Sequence, residues 1–89
     1  MRITRFEWDQ SNVTHIERHR VTVEEAEETL REDPVSHRTR LGRLVAYGRT
    51  SEGRYLTVVL IIKRRSVARV ITARPMTKAE RKYYARRRR

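Results

Sequence analysis

Residues 54–63, RYLTVVLIIK, are apolar at odd and even positions alike. A strand with one wet face alternates, so this segment predicts a central strand covered on both sides. Its apolar run, 56–62, is far too short to cross a bilayer. Everything else in the chain has to supply that cover. Extended patterns at 35–40, 43–50 and 66–74 surround it, with Gly42, Gly53 and the KRRS link at the turns, and such short connections predict antiparallel neighbours. Upstream the period is helical. Asp9 caps a helix expected to reach about His19, and Thr22 with Glu25 forms a capping box opening a second, whose stripe is Val23, Ala26 and Leu30. Pro34 forces the exit from that helix. RITRFEW, 2–8, reads as a short opening strand, and after Pro75 the TKAE box at 77–80 opens a C-terminal helix with Ala79, Tyr83 and Tyr84 expected inward. The order is β-α-α-β-β-β-β-α, an α+β fold with an antiparallel sheet packed by helices. Residues 1–89 form one domain, with 86–89 expected to be a frayed basic tail.

Charge narrows the partners. Residues 1–35 hold five arginines and nine acids, net −4, whereas 36–89 hold seventeen Lys and Arg against two acids, net +15. A field so lopsided attracts polyanions, which favours nucleic acid or an acidic protein that mimics it. With no cysteine, disulfides and thiolate metal sites are excluded, which suits a reducing cytoplasm. No N-terminal apolar leader pattern is present, and the expected location is cytoplasmic.

Four strings resemble the BrnT family of toxins from type II toxin–antitoxin modules: FEWD (6–9), NVTHIERHRVTVEEAEE (12–28), YGRTSEGRYLTVVL (47–60) and VITARPMTKAERKYY (70–84). Together they cover most of the chain. One departure stands out: the family's usual glycine after the second histidine is Arg20 here, so the first helix is expected to close differently. The resemblance implies a RelE-like ribonuclease fold, metal-independent RNA cleavage that blocks translation, and neutralisation by a cognate, BrnA-like antitoxin through which the toxin could oligomerise. It implies no cofactor. The alternative is a non-catalytic basic module that binds RNA.

Metal-free RNA cleavage needs a base for the 2′-OH, an acid for the departing 5′ oxygen, and cations at the phosphorus. The imidazoles are His15, His19 and His37. HIERH lacks the glutamate that follows the first histidine in zinc proteases, and no third ligand is evident, so no metal site is expected. His15 and His19 share a helix face, where either His19 docks the helix on the sheet or the pair handles protons. Arg74 ends a strand just before a helix N-terminus, a place suited to phosphate, or it pairs with Glu80 to lock the junction. Glu80 doubles as the capping partner of Thr77 and a candidate catalytic group, and Tyr84 is the candidate hydroxyl. Arg43, Arg49, Arg69 and Arg81 are candidate phosphate contacts, and Tyr47 and Tyr55 candidate stacking platforms for bases.

Overall fold

A computed structural model describes residues 1–88. In chain order the elements are β1 (Arg5–Glu7), α1 (Gln10–Glu17), α2 (Val23–Arg31), β2 (Val35–Arg38), β3 (Leu44–Arg49), β4 (Tyr55–Lys63), β5 (Val67–Pro75) and α3 (Lys78–Arg87), with one 3-10 turn, Arg64–Ser66, between β4 and β5. The α+β class and the element order are those expected from the sequence.

The five strands form one sheet in the order β1-β5-β4-β3-β2, so the doubly apolar strand is the middle one. Strands β2 to β5 pair antiparallel as expected. The expectation of an antiparallel sheet needs one correction: β1 pairs parallel to β5, Phe6 opposite Ala68, and the sheet is mixed. The two helices between β1 and β2 let the chain return to the far edge, and only a tight link would have forced an antiparallel partner.

Register assigns the faces. Leu44, Ala46, Leu56, Val58, Leu60, Val70 and Ala73 point to one side, where Ile16 of α1, Val21, and Ala26 and Leu30 of α2 complete the buried core. Gly48 lies under α2: a Cβ there would stand 2.8 Å from Thr29 Cγ2. The other face carries Tyr47, Thr57 and Arg74 in one row and receives α3. Cover on this side is partial. A ten-residue helix spans about 15 Å, so Val59 and Ile61 stay half-buried while Leu56, Val58 and Leu60 are sealed beneath α1 and α2.

All three helices open on capping boxes, Asp9 with Asn12, Thr22 with Glu25 and Thr77 with Glu80. Buried Asn12 also donates to the carbonyls of Glu7 and Val70, tying α1 to β1 and β5. The α1 exit is the ordinary left-handed one after all. Arg20 adopts φ +59°, Val21 N–H bonds the Ile16 carbonyl and Arg20 N–H that of Glu17, the pattern a glycine usually serves. Arg54 secures it by donating to the Arg20 carbonyl and to Glu25.

The inward stripe of α3 is also corrected. Ala79 is exposed, and Glu80, Tyr83 and Tyr84 face the sheet, because the cap bond to Thr77 turns Glu80 inward and the next turn follows it. Arg86 and Arg87 continue α3, and Arg88 donates to the Asp33 carbonyl and carboxylate; Arg89, the end of the expected tail, lies outside the described residues.

Candidate active site and nucleic-acid interface

The strand register sets Tyr47, Thr57 and Arg74 side by side across β3, β4 and β5. The α3 cap then lowers Glu80 onto them. Its Oε1 accepts from Arg74 Nη1 at 2.7 Å, from Thr77 N at 2.9 Å and from Thr57 Oγ1 at 3.0 Å, while Oε2 accepts from Arg74 Nη2 at 2.9 Å. The paired guanidinium foremost, with the Thr77 amide and the Thr57 hydroxyl, holds the Glu80 carboxyl down at about 2. Glu80 in turn raises the Arg74 pKa. A carboxylate so stabilised takes no proton near neutral pH; it aims Arg74. The two sequence alternatives for Arg74 are therefore compatible, since a bidentate pair leaves other guanidinium N–H groups for a phosphate.

One of the three imidazoles that the sequence offers, not singled out there, lies beside this pair. His37 on β2 is exposed, and its Nε2 lies 3.1 Å from the Tyr47 hydroxyl. Tyr47 is buried, and burial first, then the nearby Glu80 charge, raises its pKa. It stays a neutral phenol that fixes one edge of the imidazole. Tyr83 packs edge-on against both rings, 5.4 Å from Tyr47 and 6.0 Å from His37 between centroids. Tyr47 is thus no open stacking platform. The parity of His37 with Val35, which pairs with Tyr47, agrees with this placement.

A second cluster adjoins the first at the same end of the sheet. Arg81 lies over the Tyr55 ring at 4.0 Å and Arg49 over it at 5.6 Å, and Tyr84 meets Tyr55 edge-on at 6.1 Å. Arg49, Tyr55, Tyr84 and Arg88 line a broad pocket of about 540 Å³ that Glu28 and Glu32 close on one side. Arg43 is exposed at the opposite end of β3. Arg69 is engaged elsewhere, bonded to Asp9 and Glu7. Asp9 foremost keeps its pKa raised.

His15 and His19 do not join this site. Their rings stand 5.9 Å apart on α1, both exposed, in the helical layer on the other side of the sheet from Arg74. Exposure removes the reading in which His19 docks α1 on the sheet; Ile16 and Asn12 do that. Among the described residues no three His, Asp or Glu side chains converge as a metal-binding group, and no helix is long and apolar enough to cross a membrane.

Residues 8–80 match the family model described as the ribonuclease toxin BrnT of type II toxin–antitoxin systems. The chain belongs to the BrnT family. It is a ribonuclease toxin, with RNA as its target and an antitoxin as its partner. No curated protein sequence matches it. The matched span runs from Trp8 to Glu80, so it takes in β2 to β5, α1, α2 and the Arg74–Glu80 pair, and leaves β1 and most of α3 beyond it. Within this BrnT chain the α3 face gathers an arginine, an exposed imidazole and stacked tyrosines, the residue types that RNA cleavage requires.

Proposed function

We propose that this toxin cleaves RNA on the α3 face of its sheet without a metal ion, as an endoribonuclease, with Arg74 and His37 as the catalytic residues. The constellation itself supports this: a guanidinium aimed by Glu80, which accepts four hydrogen bonds, beside an imidazole oriented by buried Tyr47. Neutral His37 takes the proton of a 2′-OH, and the 2′ oxygen attacks phosphorus and displaces the 5′ oxygen. The 5′ oxygen gains a proton from solvent as it leaves. The products are a 2′,3′-cyclic phosphate and a 5′-hydroxyl. Arg74 stabilises the charge that builds on the non-bridging oxygens.

Glu80 and Tyr47 are positioning residues. Arg81, Arg49, Tyr55 and Tyr84 receive the flanking nucleotide, with the Tyr55–Arg81 stack extended by a base. Arg43 contacts backbone further along the sheet, and Arg69, held by two acids, fixes β1 to β5 rather than RNA. Cleavage in the cytoplasm blocks translation, and a BrnA-like antitoxin, joining toxin copies into a larger assembly, covers this face.

Purified protein incubated with RNA in EDTA tests the assignment. His37→Ala and Arg74→Ala are each expected to lower the cleavage rate by roughly 10² to 10⁴-fold, while His15→Ala and His19→Ala stay near the parent rate. Loss confined to the α1 histidines would move the active site to the other layer. RNA binding with no cleavage would make the chain a binding module.

A further inference from the structure

The α3 face occupies one end of the sheet, and the opposite end carries charge that the proposed cleft does not use. The β2–β3 and β4–β5 turns lie at that same opposite end, since Arg38 pairs with Leu44, Leu44 with Leu60, and Lys63 with Val67. Arg40, Leu41, Arg64 and Arg65 stand exposed there, Leu41 at 82 %. Among the described residues none of these three arginines is paired with an acid. Glu7, which reaches Lys63 beside the second turn, is taken by Lys63 and Arg69, and Glu52 is the sole acid in sequence between Asp33 and Glu80.

Both turns are held rigidly. In the first, Thr39 and Arg43 exchange backbone and hydroxyl bonds around Gly42. In the second, Arg65 and Ser66 both take left-handed φ, +62° and +60°. Two such residues in succession suit Asn-Gly, and side chains there are strained. Thr4 pins the turn, its N–H bonding the Ser66 carbonyl and its hydroxyl the Arg65 carbonyl. Strain retained at an exposed arginine, in a turn braced by Thr4 just before β1, points to a use for that arginine. Between the two ends the uncovered sheet face offers Val59, Ile61 and Thr72, all half-buried. From the Thr57 row to Lys63 is about 20 Å at some 3.3 Å per residue.

We infer that the two turn tips form a second, cationic rim that grips the backbone of the same RNA chain several nucleotides from the cleavage point. The inference rests on the proposed cleft. Phosphates reach Arg40, Arg64 and Arg65, Leu41 lies against an unpaired base, and the strip between gives the intervening bases an apolar floor. The rim makes long single-stranded RNA the preferred substrate class over short oligonucleotides.

The test compares non-cleavable single-stranded RNAs, 2′-deoxy at the reacting position, of about 3 and about 12 nucleotides. The combined variant Arg40→Ala, Arg64→Ala, Arg65→Gly is expected to lose roughly tenfold in affinity for the long RNA, with its salt slope lower by about 0.7 per lost contact. Affinity for the short RNA stays within about twofold. Arg65→Gly alone is expected to raise Tm by roughly 4 °C, since glycine relieves the left-handed turn, so weaker binding cannot be laid to misfolding. Unchanged long-RNA affinity overturns the inference, as does an equal loss for both lengths. So does weakened binding of the antitoxin alone, which would make the rim a protein contact. Failure of the parent protein to bind or cleave any RNA would instead remove the proposed function beneath it.

Discussion

Glu80 shows how one side chain can be read correctly and still be only half understood. The TKAE pattern identifies it as a cap partner, and it is one. What the pattern cannot show is that the same carboxylate, on the turn facing the sheet, also meets Arg74 and Thr57, which lie 6 and 23 residues away. The pair carries a pH signature. The Glu80 folded-state pKa, about 2, is below its ordinary value of 4.5, so its contribution is present above that ordinary value and is lost as pH falls towards 2. Allowing for solvent screening of the half-exposed Arg74, we expect Glu80→Gln to cost roughly 1–2 kcal/mol at pH 7. In urea titrations the gap from parent should close as the buffer is taken from pH 5 to about 2.5; a gap constant with pH would refute the pairing. Arg20 teaches the converse lesson. Its departure from the family glycine predicts a different helix exit, but Arg54 supplies a bond to the Arg20 carbonyl that steadies the left-handed residue. His37 stands among the imidazoles the sequence offers, but only cross-strand register brings it to Tyr47.

At the scale of elements, local signals carried well. Capping boxes, Pro34, Gly42 and Gly53 mark boundaries that the structure reproduces within a residue or two, because each acts through bonds and angles a few residues long. Pairing direction of β1 and the place of Ala79 on α3 depended on distant partners and were misplaced, whereas Tyr83 and Tyr84 face the sheet as expected. The docking of α2 on β3 is similarly non-local and easily tested. Gly48 has no room for a side chain: an added Cβ meets Thr29 Cγ2 at 2.8 Å and its carbonyl oxygen at 3.1 Å. Gly48→Ala should therefore cost about 1–3 kcal/mol, read as a lower urea midpoint at unchanged slope. A neutral result would mean that α2 stands further from the sheet. Three of the four glutamates of α2 also hold the fold together. Glu25 bonds Arg54, Glu27 bonds Trp8 and Arg31, and Glu28 accepts from Ser51 N–H, so reversing all four would disturb the fold as well as the field.

Seen whole, the molecule separates its charges by layer. The acidic helix α2, with α1, seals one side of the sheet, and the basic strands and α3 expose the other. The sequence asymmetry, net −4 then +15, becomes a spatial one because the chain builds its first helices on one face and its last on the other. That arrangement bears on where RNA is cleaved. His15 and His19, prominent in the sequence, lie on the layer away from Arg74, whereas His37 lies beside the Arg74–Glu80 row. Amide chemical shifts of the labelled protein, titrated with a short RNA made non-cleavable by a 2′-deoxy residue, test this directly. The largest shifts are expected on His37, Tyr47, Thr57, Arg74 and the first turn of α3, with α1 unmoved. Shifts centred on His15 and His19, with the α3 face silent, would contradict it.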